Sequence, residues 1–189
     1  MTANDAEHVE VRSIEALRGW LNSNHTQLSS VWLVTFKKPH PDYLPWADVV
    51  PELLCWGWID SAVRGIDAET FKHLISPRKD TSAWSAVNKE LVVRMRNEGR
   101  MQPAGEAKIT AAEANGMWSF LDDVEALVVP DDLGEALGTA RDTWELWSRS
   151  IKRAWLEQIK LAKSPPTREK RIAKCAEAAR QRLKNGGLR

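Results

Sequence analysis

Val31-Trp32-Leu33-Val34-Thr35-Phe36 is an unbroken run of β-branched, aliphatic and aromatic side chains, and its reading decides the fold class. A run without polar alternation fits a strand buried on both faces, the interior of a small sheet. Lys37 and Lys38 close it, and Pro39-His40-Pro41-Asp42 cannot continue a ladder. Upstream, Ser13 is positioned to cap an amphipathic helix built on Leu17, Trp20 and Leu21 that ends near residues 22–24. Downstream, Trp46, Val49, Val50, Leu53 and Leu54 recur at three- and four-residue steps and predict a helix over 46–54. Residues 55–61, Cys-Trp-Gly-Trp-Ile-Asp-Ser, read as a strand whose period of two puts Trp56, Trp58 and Asp60 on one face. Two further extended stretches, 63–67 and 71–75, complete a sheet of three or four short strands.

Beyond the sheet the pattern turns helical. Residues 85–97 predict a helix with Val87, Leu91 and Met95 inward and Gly99 just past its end. Pro103, Ala104 and Gly105 read as a turn, and Thr110 with Glu113 as the capping box of a short helix that stops before Gly116. The acidic stretch 122–132 reads as loop. From Leu133 onward only helices are expected: Trp144, Trp147, Ile151, Trp155, Ile159 and Ala162 trace one apolar stripe, interrupted near residues 148–150. Ser164 and Pro165 then open a last helix with Ile172, Ala176, Ala179 and Leu183 on one face and Gly186 at its end. The predicted fold is α+β, a small β-sheet with flanking helices followed by a C-terminal helical hairpin. Two parts are expected, an α/β lobe over 1–132 that carries the Trp-rich signature segment and a helical region over 133–189 packed on it.

Composition narrows the function classes. With 189 residues, 43% of them hydrophobic, and a formal net charge of +1, the chain is neither disordered nor basic enough overall to hold nucleic acid by charge alone. Ten Trp against three Phe and one Tyr make indole the main aromatic packing group. Cys55 and Cys175 are too far apart in sequence for a zinc knuckle or a redox pair, so packed thiols are expected. No stretch approaches 18 uninterrupted apolar residues, and residues 1–8 lack the basic and apolar regions of an export signal, so the expected location is cytoplasmic. Charge is segregated: residues 149–189 carry 13 Lys or Arg against 3 Asp or Glu, leaving 14 against 23 for residues 1–148. One expectation is that the basic stretch is neutralised by the acidic part. The other is that Arg168, Lys170, Arg171, Lys174, Arg180, Arg182 and Lys184 form a basic surface for nucleic acid or another anionic surface.

A candidate ligand site lies in the loop 76–88, where cations, hydroxyls and an amide lead into a helix. Asp60 is the natural partner of Arg78 or Lys79, because a half-buried carboxylate without a cation is costly. The candidate ligand-binding set is therefore Trp56, Trp58, Asp60, Arg78, Lys79, Trp84, Ser85 and Asn88, expected to line a pocket for a small anionic ligand or a peptide. The plainer alternative is that Ser85 and Asn88 satisfy local backbone groups and that Asp60 with Arg78 is a structural pair. No catalytic residue is assigned. His8, His25, His40 and His73 have no ligand spacing, and there is no glycine-rich phosphate loop, so neither a metal nor a cofactor is expected. An enzyme acting on a small metabolite, with His73 as base, is the third reading.

The ordered set Trp20-Leu21, Val31-Trp32-Leu33, Lys37-Lys38, Leu54-Cys55-Trp56-Gly57-Trp58-Ile59-Asp60-Ser61, Ile66-Asp67, Ser76-Pro77-Arg78-Lys79, Ser82, Trp84, Ser85, Asn88, Gly99-Arg100-Met101 and Gly105 resembles the YdeI/OmpD-associated, or bacteriocin-protection, family. Ala162-Lys163 with Thr167-Arg168-Glu169-Lys170-Arg171-Ile172 resembles that family's closing helix, and the likeness covers about residues 12–185. Trp56 stands where the family more often has phenylalanine, and Pro165 and Pro166 where an acidic residue commonly precedes the Thr-Arg step. The resemblance implies a link to resistance against antimicrobial peptides or bacteriocins, that is, a stress-protection role. It supplies no catalytic residues.

Overall fold

The computed structural model describes residues 6–188, which divide into two compact units with the boundary between Ser119 and Phe120. In the first, four strands, β1 (His8–Glu10), β2 (Val31–Phe36), β3 (Trp58–Gly65) and β4 (Thr70–Pro77), form one sheet in the order β1-β2-β4-β3. β1 runs parallel to β2, and the β2–β4 and β3–β4 pairs are antiparallel. Every residue of β2 is buried, as its unbroken apolar run requires. Two arms expected as separate pieces, 55–61 and 63–67, contribute residues 58–61 and 63–65 to one strand, β3, whose register against β4 shifts between Asp60 and Ala62.

Two helices supply the sheet's core. α1 (Ile14–Asn24) starts at Ser13, whose hydroxyl accepts from Ala16 N at 3.1 Å, and buries Leu17 and Leu21. α2 (Trp46–Cys55) adds Val49 and Leu53, and these four pack with Val31, Leu33, Trp58 and Ile75. The buried Glu52 of α2 is held by Arg18 of α1 and by Arg100. A second cluster joins Leu54 and Trp84 to Val92 of α3 (Ala86–Asn97) and to Ile109 and Ala112 of α4 (Pro103–Asn115).

Several local expectations change here. Cys55 closes α2 rather than opening a strand, which leaves Trp56 as that helix's C-cap and outside the sheet. Val87 is 64% exposed, whereas Met95 is buried and Leu91 packs partly buried as expected, and Val92 joins them on the inward face of α3. Pro103-Ala104-Gly105 is not a turn but the first turn of α4. Pro103 occupies an N-terminal position where its missing N–H costs nothing. Gly105 is there for close approach: a Cβ on it would lie 2.2 Å from the Cys55 carbonyl oxygen.

The second unit is helical throughout: α5 (Asp122–Glu125), α6 (Asp131–Leu137), α7 (Arg141–Leu146), α8 (Arg149–Lys160) and α9 (Pro165–Arg180). The acidic stretch expected as loop thus supplies two short helices. Ser148 caps α8 and interrupts the indole stripe where the sequence suggested. Trp144, Trp155, Ile159, Cys175, Ala176 and Ala179 are buried, the small residues of α9 leaving room for the indoles. Beyond α9 the chain turns back, fixed by two indole donors: Trp147 Nε1 to Leu183 O at 2.9 Å and Trp155 Nε1 to Gly186 O at 2.8 Å.

Candidate functional site

The signature segment begins where α2 ends. Gly57 adopts φ +73°, a conformation open to glycine, and turns the chain into β3. Trp56 is half-buried, its ring 5.1 Å from that of His25. Trp58 is buried edge-on against Trp20, with ring centroids 5.4 Å apart, and its Nε1 has no partner. Asp60 accepts from Trp46 Nε1 at 3.1 Å, and the Trp46 ring stacks on His73 at 3.5 Å. Burial lowers the His73 pKa, and the nearby Asp60 carboxylate opposes that shift. The carboxylate is thus met by an indole N–H from the start of α2, a long-range partner the sequence did not reveal. Because Trp56 precedes the strand, the expected shared face of Trp56, Trp58 and Asp60 does not form.

Arg78 follows β4 directly, and its N–H donates to Gly57 O at 2.8 Å. The guanidinium lies 3.7 Å from the centroid of the Trp84 ring and donates through Nη2 to Ala83 O at 2.5 Å. The residue is 3% exposed, its Nε has no partner, and no ion pair links it to a carboxylate among the described residues. Desolvation pulls its pKa down to about 10, which still leaves a cation at neutral pH. A ring face and a carbonyl oxygen supply the negative partial charge that a carboxylate would otherwise give. Lys79 is exposed beside it; Asp80 pairs instead with Lys108 at 2.9 Å. Ser85 Oγ accepts from Asn88 N at 3.3 Å as the N-cap of α3, the local use of both residues that the sequence allowed. The structure therefore joins Arg78 to Trp84 and Ser85 to Asn88. No hydrogen bond or ion pair joins Asp60 to Arg78 among the described residues.

In the second unit the basic residues divide into tied and untied groups. Arg168 forks onto Asp132 at 2.7 and 2.9 Å, Arg171 donates to the Gln158 carbonyl, and Arg180 reaches Glu177 and the Ala136 carbonyl. The acidic short helices take further cations: Lys160 meets Asp123 at 2.5 Å and Arg153 meets Glu125 at 2.8 Å. Neutralisation is therefore partial. Lys170, Lys174, Arg182 and Lys184 make no ion pair among the described residues, and Lys174 stands 6.0 Å over the Trp155 ring.

The untied cations line two grooves. The larger, about 760 Å³, runs between α7 and the turn after α9 and is lined by Arg180, Arg182 and Lys184, by Thr139 and Thr143, and by Leu146, Trp147, Ala179 and Leu183, with Asp142 as the one carboxylate. The smaller, about 480 Å³, lies between α8 and α9 and carries Lys170, Arg171 and Lys174 beside Trp155. Sequence reasoning had named the cations but missed Thr143 and Leu146. Leu146 carried a signal: it sits off the stripe of Trp144 and Trp147 and is 86% exposed. Among the described residues no cluster of His, Cys, Asp and Glu is arranged to hold a metal ion, and no helix is long and apolar enough to cross a membrane.

Residues 9–108 match the model of a domain of unknown function (DUF8412), which spans more than half of the chain. The chain belongs to that family. Residues 126–182 match the family described as bacteriocin-protection, YdeI or OmpD-associated, the one the sequence resembles. That match falls on the helical unit, whereas the Trp-rich signature positions lie within the stretch matched by the domain of unknown function. No curated protein and no solved structure matches the chain.

Proposed function

We propose that this chain is a binding protein that holds an anion-bearing ligand in the basic groove between α7 and the turn after α9. The match of residues 126–182 to the bacteriocin-protection family fits a bacteriocin-protection-related role, in which sequestering a ligand needs no chemistry. The observation that carries the reading is the groove itself: its volume suits a small ligand, and Arg182 and Lys184 line it without carboxylate partners. Lys and Arg held against apolar walls attract anions more strongly than the same charges in open water. The test is a thermal melt with millimolar inorganic phosphate and with a short oligoglutamate peptide. Each should raise the melting temperature of the parent protein and leave the Arg182→Ala/Lys184→Ala variant unmoved. Equal shifts in both proteins would remove the groove from the account.

A second reading keeps the pocket expected around Trp56, Trp58, Asp60, Arg78, Lys79, Trp84, Ser85 and Asn88, and the orphaned Nε of Arg78 favours it. A small oxyanion beside Trp84 would complete that guanidinium. Replacing Arg78 by Met discriminates. If the cation serves only packing, Arg78→Met loses the contact with the Trp84 ring and leaves the Ala83 carbonyl without its donor, lowering stability by about 1–3 kcal/mol with or without sulfate. If an anion belongs there, sulfate stabilises the parent protein and not Arg78→Met.

A further inference from the structure

Resting on the groove reading above, we infer that the ligand is an anionic amphiphile, a phosphate or carboxylate head on an apolar tail. The groove is bipartite. Its cations, Arg180, Arg182 and Lys184, come from the last turn of α9 and the segment just after it. Its apolar part, Leu146, Trp147, Ala179 and Leu183, comes from both walls. A bare anion would leave the exposed part of that surface, Leu146 and Leu183, wet, and a neutral hydrocarbon would leave Arg182 and Lys184 unmatched. Only a molecule with both features complements the whole cleft.

Two further observations point the same way. Leu146 is 86% exposed although the unit has an apolar core in which Trp144 of α7 and Trp147 just past its end are buried. An aliphatic side chain left at the mouth of a cationic cleft is ready to cover a tail. Arg182 takes φ +52°, a left-handed backbone conformation that a residue with a Cβ rarely adopts. The turn that carries it is pinned on both sides of Lys184 by the Trp147 and Trp155 indoles, so the strained conformation is over-determined by its surroundings. The head-group cations are therefore pre-positioned by the fold rather than recruited from flexible surface chains, which lowers the cost of binding. Asp142 is the single carboxylate on the lining, and Arg182 and Lys184, which have no carboxylate partner among the described residues, outweigh it.

The experiment is calorimetric titration of the full chain with octyl phosphate below its micelle concentration, with inorganic phosphate and with octanol. Octyl phosphate is expected to bind one per chain and at least tenfold more tightly than phosphate, with octanol undetected. Leu146→Ser should weaken octyl phosphate at least threefold without changing phosphate binding; the exposed position makes a folding defect negligible. Arg182→Ala/Lys184→Ala should weaken both by tenfold or more. Equal affinities for octyl phosphate and phosphate would overturn the amphiphile and leave the anion groove standing. Octanol binding as tightly as octyl phosphate would overturn both readings, as would no binding at all. Binding to vesicles of phosphatidylglycerol, with none to soluble octyl phosphate, would replace a single-ligand cleft by a membrane-surface contact and so overturn this inference.

Discussion

Arg78 and Asp60 mark how far single residues could be read. Each was legible as a group in need of a partner, because a charge carried into a packed region must be compensated. The partners were not legible, because they come from positions that only the fold brings near: Trp46 to Asp60 from the start of α2, and Trp84 to Arg78 from across a loop. Ser85 was readable since its partner is three residues away. Among the ion pairs, Arg168 with Asp132 has a working consequence. The hydrogen bond from Arg168 holds the Asp132 carboxyl below its ordinary value of 3.8, with Coulombic attraction adding to it. A folded-state pKa that is depressed contributes stability above the unfolded value and loses it as pH falls through the folded one. The parent protein should therefore lose stability more steeply than Asp132→Asn between about pH 4 and pH 2, as followed by urea melts at stepped pH, while the two differ by about 1 kcal/mol or less at pH 7.

At the scale of elements, the strand Val31–Phe36 was legible from its unbroken apolar run and the helices α1, α2, α8 and α9 from their apolar periodicity, with Ser13 and Ser148 capping α1 and α8. α4 was not. Pro103 and Gly105 are turn formers by local preference, and here the preference is overridden by packing: Gln102 N donates to Cys55 O at 3.2 Å, and Gly105 lies directly beneath that same carbonyl. The methyl group of Gly105→Ala would meet backbone on the closing turn of α2, which cannot move like a side chain, and the adjoining cluster of Leu54, Trp84 and Ile109 would have to open. The expected loss is about 2–4 kcal/mol, measured by chemical denaturation. Gly19, on the other hand, has nothing within 4 Å of its missing Cβ, and Gly19→Ala in α1 should gain about 0.5–1 kcal/mol in the same measurement. α5 and α6 were hidden for a different reason. They are four and seven residues long, too short to show a period, and they hold together through Asp123, Glu125 and Asp132 meeting cations of α8 and α9.

For the molecule as a whole, the α+β class and the change to helices alone could be read from the loss of β-branched runs. Charge segregation was equally visible, but not its resolution. Opposite signs that looked distant in sequence meet inside the helical unit, and what is left over, Lys170, Lys174, Arg182 and Lys184, gathers at its grooves. The shift of register between Asp60 and Ala62 matters at this scale too, since β3 stands at the rim of the sheet. A straight, eight-residue rim carrying an exposed Val63 would invite another molecule's strand to zip onto it and so seed fibres. The kink of an added residue spoils that template, and Arg64 places a charge where a stacking neighbour would have to bury it. The irregularity within the signature segment thus doubles as a guard that keeps the protein from polymerising through its own sheet.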